Sequence, residues 1–135
     1  MKKDITSRTD TDKLVEAFYK KLKRDALLSP FFRDIADEAA FINKIKLFWQ
    51  NVVFFTGSYS GNPMQLHKNI HDKTPLTPQI FRQWLYIFTT TVDEMFEGEK
   101  ASFVKQRARS IATVMQVKIL ESNLEDQADN KKPPR

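Results

Sequence analysis

An all-α fold is the class this sequence predicts, on three observations. Only three Gly occur in 135 residues. Runs of alternating apolar and polar residues are scarce, and several long stretches place apolar residues at the three- and four-residue steps of a helix. Apolar residues make up 41% and charged residues 29%, and the eleven Phe, two Trp and three Tyr set the chain apart from disordered sequences, which are poor in aromatics. The length suits one core.

The first helix is predicted from about Asp10 to Lys23, opened by Thr9 with Asp12 three residues on, a capping-box spacing. Leu14, Phe18 and Leu22 repeat every four residues with Val15 and Tyr19 beside them, so Tyr19 points near the core. Ser29-Pro30-Phe31-Phe32 breaks that helix, and two adjacent Phe in a turn should not both face water. A second helix is expected from Glu38 to Phe55, with Phe41, Ile45, Phe48, Trp49 and Val52 on its apolar side. Thr56 to Gly61 reads as a loop, and Asn62 with Pro63 can open a short helix that ends after His71. Thr77 caps a third long helix from Pro78 to Phe96, striped by Phe81, Trp84, Leu85, Phe88, Val92 and Met95, with Gly98 closing it. Val104, Ala108, Ile111, Met115 and Ile119 mark a last helix from about Ala101 to Leu120. The organisation expected is one domain over residues 1–121 followed by a polar, disordered tail over 122–135.

The absence of Cys excludes a disulfide framework, thiolate-held metals, iron–sulfur clusters and covalent haem attachment through Cys-x-x-Cys-His. The first residues lack the apolar core of a signal peptide, and no apolar run approaches the roughly 18 residues of a membrane span, so a cytoplasmic protein without membrane partners is expected. A net charge of +5 invites a nucleic-acid reading, but Lys and Arg alternate with Asp and Glu and no docking motif accompanies them. No nucleophile triad, phosphate-cradling glycine loop or paired-carboxylate site emerges, so no catalytic residues are assigned.

His67 and His71, the only histidines, stand four apart and share one helix face. By themselves they fit a surface pair, a core pair, or a non-haem metal site that needs further ligands no motif supplies. Their surroundings favour haem: the aromatic residues Phe32, Phe41, Phe48, Trp84 and Phe88 suit a large apolar plate, a histidine at a helix end suits its iron, and surface cations suit its propionates.

An ordered set of motifs then resembles a family. Ala17-Phe18-Tyr19, Leu28-Ser29-Pro30-Phe31-Phe32, Phe48-Trp49, Tyr59-Ser60-Gly61-Asn62-Pro63-Met64, His67-Lys68-Asn69-Ile70-His71, Pro75-Leu76-Thr77-Pro78 and Phe81-Arg82-Gln83-Trp84-Leu85 look like the group III truncated haemoglobins of bacteria, over about residues 5–120. The resemblance implies a shortened globin fold, a two-over-two helical sandwich around haem b, and reversible binding of oxygen, nitric oxide and carbon monoxide. It implies His71 as the proximal iron ligand, with His67 its rival and a candidate propionate contact. Tyr19 matches the distal tyrosine whose hydroxyl donates to the bound gas, and Trp84 the distal tryptophan, whose indole N–H can only donate. Phe41 departs from the pattern: it falls where many members carry a distal histidine, so the entry there becomes apolar. Ile45 matches an apolar distal wall residue and Phe32 the aromatic against the haem face, with Phe48 and Phe88 as further haem contacts. Lys44 and Tyr59 are candidate propionate partners. Oxygen transport, nitric oxide dioxygenation and peroxidase-like chemistry all remain open, with or without a reductase partner, in a monomer or weak dimer. A cofactor-free helical interaction module is the alternative from another class.

Overall fold

The computed structural model describes residues 2–32, 35–54 and 77–131, apart from the side chains of 119 and 121–131. Among them are five helices and no strand: α1 (Arg8–Arg24), α2 (Ser29–Phe32), α3 (Glu38–Phe54), α4 (Pro78–Met95) and α5 (Glu99–Lys131). The pair α1 and α3 lies over the pair α4 and α5, with α1 packed on α4 and α3 on α5. This is the all-α, two-over-two architecture expected from the sequence. The loop at Thr56 to Gly61 and the short helix at Asn62 to His71 lie outside the described residues.

The start of α1 differs from expectation. Ser7, not Thr9, is the cap, accepting from the Asp10 N–H at 3.3 Å. Both Ser7-x-x-Asp10 and Thr9-x-x-Asp12 satisfy the capping-box spacing. The choice is made by contacts outside the motif: the Asp10 carboxylate accepts from the Thr6 N–H at 2.9 Å, the Thr6 hydroxyl at 3.1 Å and the Lys3 ammonium at 3.1 Å. Burial pushes the Asp10 carboxyl up, but these donors outweigh it and hold it down at about 2.

The helix α4 begins as predicted, with Thr77 Oγ1 accepting from the Ile80 N–H and Pro78 at the first position, where no N–H is needed. Its end is different. Phe96 terminates α4, and Gly98 belongs to the start of α5, where its carbonyl accepts from the Ser102 N–H at 2.9 Å. At that junction Asp4 arrives from the N-terminal segment, and its carboxylate accepts from the Lys100 and Ala101 N–H groups at 3.0 and 2.9 Å. It thereby satisfies two of the donors a helix start leaves open. Gly98 has φ +147°, and a Cβ there would stand 2.6 Å from Asp4 Oδ2, so backbone shape and space both require glycine. Ile5, fully buried, anchors the same segment in the core.

The last helix runs on to Lys131, past the expected end near Leu120 and through most of the stretch expected to be a disordered tail. The apolar stripe stops where the reading stopped, but from Glu121 to Lys131 the sequence has no Gly or Pro to break a helix, and Pro133 is the next. The core itself is continuous, joining Leu14, Phe18, Leu22, Trp49, Phe88, Val92, Val104 and Ala108 with Ile5.

Candidate functional site

The helix α3 carries the clue to the site. It is the most apolar of the long helices described, yet only Trp49, Gln50 and Val53 are buried, while Phe41, Ile45 and Phe48 are half-buried. These three face a cavity. It measures about 690 Å³ when the open space at its mouth is counted. Val15, Phe18, Tyr19 and Leu22 of α1 form one wall, Phe32 of α2 a corner, and Phe41, Lys44, Ile45, Phe48 and Trp49 of α3 the wall opposite. Trp84 of α4 and Ile111 and Met115 of α5 also line it.

Lysine 44 is the one charged residue among them. It is exposed and has no hydrogen-bond or ion-pair partner among the described residues, so its stem covers the rim while the ammonium stays available.

Polar links hold the two long walls together. Gln50 Nε2 donates to Asp12 Oδ1 at 2.8 Å, Lys46 to Glu16 at 2.7 Å and Lys23 to Glu38 at 2.8 Å. As the numbers rise along α1 they fall along α3, so the helices run antiparallel. Tyr19 and Phe41 meet within this ladder with ring centroids 6.1 Å apart. Phe32 completes an aromatic trio, edge-on to Tyr19 at 5.8 Å and tilted to Phe41 at 6.2 Å. Each such pair contributes about 0.5–1.5 kcal/mol beyond its buried area.

The Tyr19 hydroxyl is buried and has no hydrogen-bond partner among the described residues. Burial, with a smaller push from the Glu38 carboxylate, raises its pKa, so the phenol is a protonated donor at neutral pH. An unpaired buried hydroxyl costs about 1–3 kcal/mol. A core tyrosine kept only for packing would be better served by Phe. The donor in the cavity wall is placed to serve a ligand that accepts.

Behind the cavity, Phe88 is stacked on Trp49 at 4.8 Å and on Trp84 at 5.8 Å, with Phe18 edge-on to it at 5.1 Å. Trp84 also meets the edge of Phe18 at 5.7 Å. Phe88, fully buried, thus fixes both indoles and does not itself line the cavity.

Comparison with known proteins matches this geometry to a family. No family model matches the chain. The group 3 truncated hemoglobin ctb of Campylobacter jejuni is 30% identical over 121 residues, covering 86% of this chain and 93% of that one. The chain belongs to the group 3 truncated haemoglobins. A crystal structure of a group III truncated hemoglobin from Campylobacter jejuni superposes with TM-score 0.75 at 27% identity, covering 86% of this chain and 93% of that one. Chlamydomonas reinhardtii THB1 shares the fold, with TM-score 0.61 at 19% identity over 80% of this chain and 85% of that one.

In this truncated haemoglobin the structure brings Tyr19, Phe32, Phe41, Lys44, Ile45, Phe48 and Trp84 around one cavity. His67, His71 and Tyr59 lie outside the described residues. Among those described, no group of three His, Cys, Asp or Glu could hold a metal ion, and no helix is long and apolar enough to cross a membrane. Sequence reasoning did not single out the α5 wall, Ile111 and Met115, although both stood on the predicted apolar stripe. It also missed Asp25. That residue ends α1, accepts from the Leu27 and Leu28 N–H groups at 3.0 Å, and accepts at 2.8 Å from Gln83 Nε2, beside Trp84. Asp25 ties the Phe32 corner to the Trp84 helix. Its signal in the sequence was an Asp directly after a basic helix end.

Proposed function

We propose that this chain binds haem b in the cavity between the two helix pairs, holds its iron through His71, and binds oxygen, nitric oxide and carbon monoxide on the side of Tyr19. The observation that carries the proposal is the Tyr19 hydroxyl, a buried donor with no partner among the described residues, in the wall of a largely apolar cavity. Membership of the truncated haemoglobins supports it.

The residues fit the group. Among the described residues the lining is apolar apart from Lys44 and the Tyr19 hydroxyl, as a porphyrin plate requires, and Lys44 offers a cation for a propionate. When bound, haem supplies an iron with a coordination position for a small gas. A gas held there would give the Tyr19 hydroxyl, which has no partner among the described residues, an acceptor for its hydrogen bond. Trp84 presents a second side chain that can only donate, held in place by Phe88 and Phe18. Phe41, Ile45 and Phe48 exclude water from the same space. With Phe41 in place of an imidazole, the entry on α3 has no protonatable group at that position, and Tyr19 stands as its hydroxyl donor.

Oxygen binding and the detoxification of nitric oxide or peroxide begin from this one pocket. Nitric oxide consumption in the presence of oxygen and a reductant, compared with simple reversible binding, distinguishes the two. The assignment of the iron ligand is tested by absorption spectra of haem-loaded variants: His71→Ala should lose the Soret band and His67→Ala should keep it. The opposite outcome would make His67 the ligand.

A further inference from the structure

We infer that the Lys23–Glu38 ion pair is a latch at the Tyr19 end of the α1–α3 seam that positions Tyr19 and so sets how long a gas stays bound. The inference rests on the distal reading of Tyr19 given above.

Three observations converge on it. Lys23 lies one helical turn beyond Tyr19, and its ammonium stands 5.7 Å from the centre of the Tyr19 ring, over its face. The same ammonium donates to Glu38 Oε1 at 2.8 Å, crossing from α1 to α3. Glu38 sits one turn before Phe41, the residue that packs on Tyr19 from the other helix. The phenol ring is therefore enclosed by Phe32, Phe41 and a cation pinned by an anion. Its hydroxyl has no partner among the described residues to fix its direction. Of these three neighbours, the Lys23–Glu38 pair is the one whose strength responds to solvent.

Both side chains of the pair are roughly half exposed, at 46% and 44%. Salt screens such a pair strongly. Loosening it lets the Tyr19 ring swing and the α1–α3 seam part at the Tyr19 end. The Lys46–Glu16 pair ties the same two helices further along and does not touch Tyr19, so it is an internal control.

The test uses the full-length, haem-loaded ferrous protein. Lys23→Met keeps the stem and removes the charge, Glu38→Gln removes only the ion pair, Lys46→Met breaks the control link, and Tyr19→Phe marks complete loss of the donor. Oxygen dissociation should be about fivefold faster in Lys23→Met, about twofold faster in Glu38→Gln, and unchanged in Lys46→Met, the largest being about 1 kcal/mol at 1.4 kcal/mol per decade. High salt should bring the unsubstituted protein to the Glu38→Gln rate and leave Lys23→Met where it is. The C–O stretching band of the carbon monoxide complex gives a readout independent of kinetics: Lys23→Met should divide it into hydrogen-bonded and free populations, and Lys46→Met should not. Equal effects from Lys46→Met and Lys23→Met would reduce the pair to a helix tie and overturn the inference. An unchanged rate and band in Lys23→Met, with Tyr19→Phe clearly faster, would overturn it while sparing the distal role of Tyr19. An unchanged rate in Tyr19→Phe would remove that role and the latch together.

Discussion

Replacing Tyr19 by Phe should improve the stability of the protein and impair its hold on ligand, and the two effects come from one atom. The Tyr19 hydroxyl is buried without a partner among the described residues, and a buried hydroxyl left unsatisfied costs about 1–3 kcal/mol. Phe32 and Phe41 pack on the ring, and that packing survives the substitution. The haem-loaded, ligand-free ferrous protein should therefore gain about 1–3 kcal/mol, a rise in Tm of about 3–10 °C. The loss appears once ligand is bound. A hydrogen bond to a neutral group contributes about 0.5–1.5 kcal/mol and one to a charged group about 1.5–3, so oxygen dissociation should quicken by about tenfold or more. Thermal unfolding followed by circular dichroism and stopped-flow oxygen release measure the two sides. A variant that melts lower and releases oxygen at the original rate would refute the reasoning, because it would make Tyr19 an ordinary core residue.

Two further outcomes follow from the N-terminal clamp. Gly98→Ala should destabilise the protein by about 1–3 kcal/mol in denaturant unfolding, since alanine must adopt φ +147° and displace Asp4 from the start of α5; an unchanged midpoint would show that Asp4 is dispensable there. Asp10, with its carboxyl held at about 2 against an ordinary value of 3.8, has a depressed folded-state pKa. Its contribution, about 2 kcal/mol, is therefore complete above pH 3.8 and is lost as pH falls through about 2. Asp10→Asn should flatten the acid end of the stability profile, and a profile that keeps its slope would place the acid sensitivity elsewhere.

Much of the architecture could be read from periodicity, because α1, α3 and α4 carry wide apolar stripes with Gly or Pro punctuation near their ends. The apolar side of α3 also foretold the site: Phe41, Ile45 and Phe48 belong to one stripe whether it meets a core or a cavity, and only the fold shows it to be a cavity. What escaped the sequence was decided by contacts between distant residues. Ser7 and Thr9 fit a capping box equally well until Lys3 and Thr6 settle on Asp10. Gly98 reads as the end of one helix until Asp4 is seen holding the start of the next. Phe88 was expected at the site but stands one layer behind it, because the two indoles that flank it take the cavity side. The helix beyond Leu120 has no apolar stripe to announce it. The residues expected to hold the iron, His71 and its rival His67, lie outside the described residues and rest on the motif resemblance.

The central claim is that the cavity beside Tyr19 is a haem site, and the most direct measurement is titration of haemin into the purified protein followed by absorption. An intense, sharpened Soret band that saturates at one haemin per chain is the predicted result. A folded protein, helical by circular dichroism, that leaves the haemin spectrum as it is in buffer would contradict the account.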